Sequence, residues 1–267
     1  MNHLLRSLAP ITPSGWDLVD QEAKEHLTAS LAARKLVDFS GPEGWEHSAT
    51  NLGRAAPITQ APAEGVVARA RRVLALVELR AAFSVSREEL RDNDRGAQDV
   101  DLDDLDEAAK QLALAENVAV FHGWPEAGID GIIEASPHSQ IPRGKSVETY
   151  PRRVAKGVEL LLRSGVSGPY GLALSPDEYT TVIETAEHGG YPLFDHLRKI
   201  LGGPIVWAPG VRGAVLLSLR GGDFLFDAGQ DIAVGYVGHD AQAVHLYLEE
   251  SFSFRVVTPE AAVALGA

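Results

Sequence analysis

The sequence predicts an α+β fold, and three observations carry that reading. Residues 220–257 form a run of strands, because Gly221-Gly222-Asp223, Ala228-Gly229-Gln230 and Gly238-His239-Asp240 separate apolar segments as in an antiparallel meander. In the last and longest of these, Val244, Leu246, Leu248, Phe252, Phe254 and Val256 share one parity and Glu250 breaks the row, leaving an apolar face that a lone hairpin could not bury. Helical spacing runs through residues 14–33 and again from Asp103, and a stretch alternating helix with strand lies between those helices and the closing strands.

In chain order, Ser14 followed by Asp17 resembles a capping box, and Trp16, Val19, Ala23, Leu27 and Leu31 recur on one helical face. Residues 34–39 switch to alternation and predict a short strand, with Arg34 and Asp38 as a possible ion pair and Ser40-Gly41-Pro42-Glu43-Gly44 as the turn after it. From Asn51 to Arg72 periodicity degrades around Gly53, Pro57, Pro62 and Gly65, which predicts an extended excursion; such long segments are usually functional or engaged with a neighbour. Residues 73–85 alternate strictly and predict a strand. Ser86-Arg87-Glu88-Glu89-Leu90 opens a short helix that ends before Gly96.

Asp99, Asp101 and Asp103 have the spacing of the first ligands of a calcium loop, but Asp104 stands where glycine is needed and Lys110 where the bidentate glutamate belongs. The acids instead suit the start of a helix, continued by Leu105, Ala108, Ala109, Leu112, Ala115 and Ala119. Helices are predicted over 151–164, 176–186 and 192–201, and strands over 169–174, 204–208 and 214–219. This portion reads as a sub-domain inserted between two parts of one sheet-containing body.

The chain of 267 residues is long enough to bury a core without staples. It has no cysteine, which removes disulfides and thiolate chemistry. A formal charge of -13 opposes nucleic-acid binding, and the basic run Arg69-Ala70-Arg71-Arg72 lacks interleaved aromatic residues. Neither an export leader nor an apolar run of membrane-spanning length is evident, so the expectation is a cytoplasmic protein with no membrane and no nucleic-acid partner.

No phosphate loop, dinucleotide fingerprint or HExxH helix occurs, and Gly165-Val166-Ser167-Gly168-Pro169 fails as a nucleophile elbow because proline replaces its last glycine. His245 and Glu249 lie on one strand face roughly 13 Å apart, as exposed polar positions rather than ligands. His188-Gly189-Gly190-Tyr191 reads as a helix-to-helix turn, with a loop lining an aperture as the sharper alternative.

These fragments resemble the encapsulins, shell proteins with the phage-capsid fold typified by HK97. The resemblance runs nearly end to end: Leu8-Ala9-Pro10 with Trp16, Arg34-Lys35-Leu36-Val37-Asp38, Glu78-Leu79-Arg80 with Phe83, Phe121-His122-Gly123, Gly168-Pro169-Tyr170, Arg220-Gly221-Gly222-Asp223-Phe224, Gly229-Gln230-Asp231 and Glu250-Ser251-Phe252-Ser253-Phe254. It implies a P-domain built from residues 1–50, 73–135 (with the spine helix) and 221–267, an E-loop at 51–72 and an A-domain at 136–220. It further implies an icosahedral homo-oligomer, in the smallest, T=1, arrangement, holding a cargo enzyme by that enzyme's C-terminal targeting peptide. The cargo classes implied are a ferritin-like iron oxidase or a dye-decolorising peroxidase, with iron storage or oxidative-stress protection as the role.

By the same resemblance, Leu27, Leu31, Arg34 and Asp38 form the helix side of the cargo-peptide pocket and Asp231, Ile232 and Tyr236 its strand side, while His188, Gly189, Gly190 and Tyr191 line a five-fold pore. No catalytic, metal or cofactor residues are implied. Glu88 stands where some members carry a tryptophan associated with flavin, which argues against flavin, and iron belongs to the cargo. The alternative, a bacteriocin-like or hydrolytic enzyme, needs a nucleophile-and-base pair or an export signal, and the sequence offers neither.

Overall fold

The computed structural model describes residues 3–144, 146–186 and 190–266. The first helix, α1 (Pro13–Ser30), is capped by Thr12, whose Oγ1 accepts from the Gly15 amide at 3.1 Å, with Pro13 in the first turn. The expected Ser14 cap lies inside the helix. A threonine followed by proline sets the helix boundary two residues earlier, because Pro fixes φ and gives up only an amide that would be orphaned anyway.

Residues 34–39 do not form the expected strand. Ala33–Lys35 is a 3-10 turn, and only Asp38–Ser40 (β1) is extended. Asn117, fully buried on the spine helix, dictates this geometry. Its Oδ1 accepts from the amides of Ala32 and Ala33, and its Nδ2 donates to the carbonyls of Ser30 and Pro209. One side chain thereby satisfies both donors and acceptors that the end of α1 leaves open.

The excursion is a two-stranded antiparallel hairpin, β2 (Ala49–Ile58) with β3 (Ala68–Ala75), slightly longer than the sequence suggests and paired with no other strand among the described residues. It leads into β4 (Val77–Ser86). Ser86 caps α2 (Arg87–Arg95), and Gly96 closes that helix at φ 100°, a left-handed conformation suited to glycine. The spine helix α3 (Asp103–His122) starts in the acidic run, as expected.

A four-residue helix, α4 (Ile132–Ala135), precedes α5 (Tyr150–Arg163), β5 (Tyr170–Leu174), α6 (Pro176–Glu184), α7 (Leu193–Leu201), β6 (Gly202–Trp207) and β7 (Ala214–Ser218). The closing strands are β8 (Phe224–Ala228), β9 (Ala233–His239), β10 (Ala243–Val256) and β11 (Ala262–Leu265).

These closing strands are not a simple meander. β4 pairs along one edge of β10, from Ala243 to Phe252, while β9 and β8 share the other edge, β9 against Val244–Glu249 and β8 against Phe252–Val256. β1 adds to β8 in parallel. Within residues 221–267, β11 pairs with β7 and completes a second sheet of order β11-β7-β5-β6. Phe224, Phe226, Phe252 and Phe254 belong to the same buried cluster as Leu172, Leu174, Val215 and Leu217 of the second sheet. A distinct cluster joins α1, α3, β4, β9 and β10 through residues such as Val19, Leu105, Phe83, Val234 and Leu246.

Candidate functional site

Between helix α1 and the segment that enters β9 lies a groove of about 420 Å³. Ala23, Leu27 and Leu31 supply the helix wall, and Ile232, Ala233 and Val234 the strand wall. Arg6, Asp20 and Lys24 lie at one rim and Arg34 with Asp231 at the other. The i, i+4 spacing of the helix residues puts them on one face, so the groove is a direct product of the periodicity in α1.

Five of the residues expected in the pocket converge here: Leu27, Leu31, Arg34, Asp231 and Ile232. Two do not. The Asp38 carboxylate accepts from the Gly222 amide at 2.7 Å and serves the turn before β8, not Arg34. Tyr236 is buried under the N-terminal segment. Its amide donates to the Leu4 carbonyl at 2.8 Å and its hydroxyl lies 2.5 Å from His239 Nδ1. Arg6, Asp20 and Lys24 were not anticipated. The Arg6 guanidinium stacks 3.9 Å from the Trp16 ring centre while pairing with Asp20, so it forms a fixed part of the rim.

Arg34 is the most heavily engaged side chain of the site. Its Nε donates to Glu116, Nη1 to Asp231 and Nη2 to Glu250, each at 2.6 Å. Glu116 and Glu250 are wholly buried, so one cation at the groove edge reaches into the core. Burial alone would lower the guanidinium's proton affinity; Glu116 and Glu250 more than offset this and raise it. The two glutamates are each raised by burial, Glu250 the more, because it also faces the charge of Glu116.

As two carboxylates, neither Oε1 atom has a hydrogen-bond donor. With Glu250 protonated, it donates to Glu116, which relieves burial and repulsion together. The residue that interrupts the apolar row of β10 is therefore a proton-sharing partner in an ion cluster.

A pH dependence follows. A folded-state carboxyl raised above its ordinary value of 4.5 holds a proton that the unfolded chain releases, so its contribution is full below that pH and is lost as pH rises. The stability of Glu250→Gln, relative to the parent, is expected to increase steadily from pH 5 to pH 9 in urea titrations. Parallel pH profiles would rule out the shared proton.

On the other face of β10, Glu249 is fully buried and pairs with His3 at 2.9 Å and Arg80 at 2.6 Å. It is not the exposed position expected from sequence, whereas His245 is half-buried and bonded to Ser84 and Asp240. Of the candidate pore loop, His188 and Gly189 lie outside the described residues. Gly190 has φ 79°, and Tyr191 is partly exposed with Lys199 Nζ 4.8 Å from its ring centre. A bridge between Ala186 and Pro192 pinches the base of that loop. Glu88 is exposed and pairs with Arg91 and Arg95.

Residues 1–253 match the Linocin_M18 family, described as an encapsulating protein for peroxidase. A type 1 encapsulin shell protein of Rhodospirillum rubrum is 46% identical over 99% of this chain and 96% of its own. In structure, the chain is similar to a virus-like particle protein from Pyrococcus furiosus (TM-score 0.62, 17% identity, 93% of this chain and 98% of the other). It is also similar to the capsid of an empty GTA particle (TM-score 0.53, 15% identity, 90% of each chain). These two likenesses identify the fold as that of the HK97-type capsid proteins, and the family's role is structural rather than catalytic. With a family match across nearly its whole length and this fold, the chain belongs to the Linocin_M18 family of encapsulin shell proteins.

Proposed function

We propose that this chain is the subunit of a cytoplasmic icosahedral cage, in the T=1 arrangement, that encloses a cargo enzyme. The cargo docks by a short C-terminal peptide in the groove between α1 and β9. The observation that carries this reading is the groove itself: a trough with Leu27, Leu31 and Ile232 on its walls and charges of both signs at its rims, in a member of a family described as encapsulating a peroxidase. Leu27, Leu31 and Ile232 take the peptide's apolar side chains, and Arg34 with Asp231 orients its polar ones. Asp38 and Tyr236, engaged elsewhere, are left out of the docking set.

Self-assembly has a second support. The β2–β3 hairpin exposes Ile58, Val66, Val67 and Val73, and Val67 is 88% exposed, so a neighbouring copy that covers this ribbon would bury apolar surface and pair its free edges. A dye-decolorising peroxidase is the cargo class that suits the family description, and a ferritin-like iron oxidase is the second; oxidative-stress protection and iron storage are the corresponding roles. Iron, on this reading, is bound by the cargo. Gly190 and Tyr191 line the five-fold pore on this reading.

Size-exclusion chromatography with negative-stain imaging tests the reading, and closed particles of uniform size are the expected result. Replacing residues 52–72 by an Asn-Gly turn of about two residues should abolish particles while leaving a folded subunit with unchanged near-UV circular dichroism. Particles that persist without the hairpin would remove its role in assembly. A parent chain that stays subunit-sized would sink the cage.

A further inference from the structure

A second cavity, of about 200 Å³, lies between the first turns of α5 and α6 and is lined on its remaining side by Arg143, Gly144, Ser146 and Val147. One of its polar groups is built in and unused: Arg153 is 8% exposed and its Nε–H has no hydrogen-bond partner, while Tyr150, 3% exposed, turns its hydroxyl to Glu178. An Nη2–H of Arg153 donates to the Gly266 carbonyl at 2.5 Å, and the guanidinium lies 5.2 Å from the Tyr150 ring centre, so both groups are held in place at the cavity wall. Burial, then the neighbouring Glu178, pushes the Tyr150 phenol above its ordinary value and keeps it a hydrogen donor.

Donors outnumber acceptors in this cavity. The exposed Arg143 adds a second guanidinium at the mouth, against a single carboxylate, Glu178. The first turn of α5, a helix of 14 residues, lacks a side-chain cap, because the Thr149 hydroxyl is turned away to the Ser146 carbonyl at 2.6 Å. The positive end of that helix therefore adds to the arginines. An unpartnered buried donor such as the Arg153 Nε–H is costly, and an anion that accepts from it removes the cost. Glu178 constrains the anion further. A carboxylate beside an oxyanion repels it unless the oxyanion carries a proton to donate.

We propose that this cavity is a binding site for a protonated oxyanion, inorganic phosphate or a small phosphomonoester, with Arg153 and Arg143 as donors and Glu178, oriented by Tyr150, as the acceptor that excludes unprotonated anions. The site is separate from the cargo groove and does not depend on that reading.

Isothermal titration calorimetry on the full chain in its native assembly, with inorganic phosphate and with sulfate at neutral pH, tests it. Saturable phosphate binding near one per chain is expected, with sulfate weaker by about tenfold because sulfate has no proton for Glu178. Arg153→Met keeps most of the arginine stem's volume and should weaken phosphate by roughly three- to tenfold, and Glu178→Gln should bring sulfate to parity. The absence of saturable phosphate binding, equal affinity for the two anions in the parent, or parent-like binding in both variants would each overturn the proposal. Parent-like melting temperatures of the variants exclude misfolding as the cause of any loss.

Discussion

Arg34→Met is expected to destabilise the subunit by about 3–5 kcal/mol, because it leaves two wholly buried carboxyls without the cation that each is bonded to. Methionine preserves much of the arginine stem's volume, so the loss reports the charge rather than a cavity. The side chain is only 15% exposed, which keeps solvent from screening the interaction. Urea or thermal denaturation of the assembled protein and of any free subunit would measure it. A triple variant that adds Glu116→Gln and Glu250→Gln should recover most of the loss, since the buried charges are removed with their partner. A single variant as stable as the parent would mean that the cluster is solvated and not part of the core.

The second large effect concerns cargo. Leu31→Asp should eliminate co-purifying cargo while particles remain intact, through placement of an unpaired carboxylate on the apolar wall of the groove. Leu31 ends α1 in an extended conformation and is 8% exposed, so an aspartate there can turn toward the groove mouth and need not be driven into the core. Ile232→Asp, on the facing wall and partly exposed, should give the same result by an independent route. The measurement is the ratio of cargo to shell on a gel of purified particles. Full cargo loading in both variants would remove the groove from the docking account.

Both predictions rest on long-range contacts, and these mark the limit of what the sequence makes legible. Local signals placed α2, α3 and α5 within a residue or two, because Ser86, the acidic run before Leu105, and Gly96 act within a single turn. They also placed the groove's helix wall, since Ala23, Leu27 and Leu31 form one row. The strand expected at residues 34–39 failed because the chain there answers to Asn117 and Glu116, more than 80 residues away, which hold it in a tight turn. Nothing in the neighbourhood of Glu250 pointed to Arg34, 216 residues distant in sequence. A lone acid in an apolar row was nonetheless a usable signal. Likewise, period-two spacing put His245 and Glu249 on the same face but could not show that only Glu249 is covered.

The long strand β10 also decides where the molecule yields under load. Antiparallel hydrogen bonds run across the strands, so tension along β10 strains many of them together, on both edges at once. The β2–β3 hairpin is tethered differently. Its two ends, at Ala49 and Ala75, face each other as a registered pair, and a pull that separates them breaks one rung at a time. In the proposed cage, such subunits would make stiff panels joined by compliant straps, with an elasticity set by residues 49–75 and whatever clasps them.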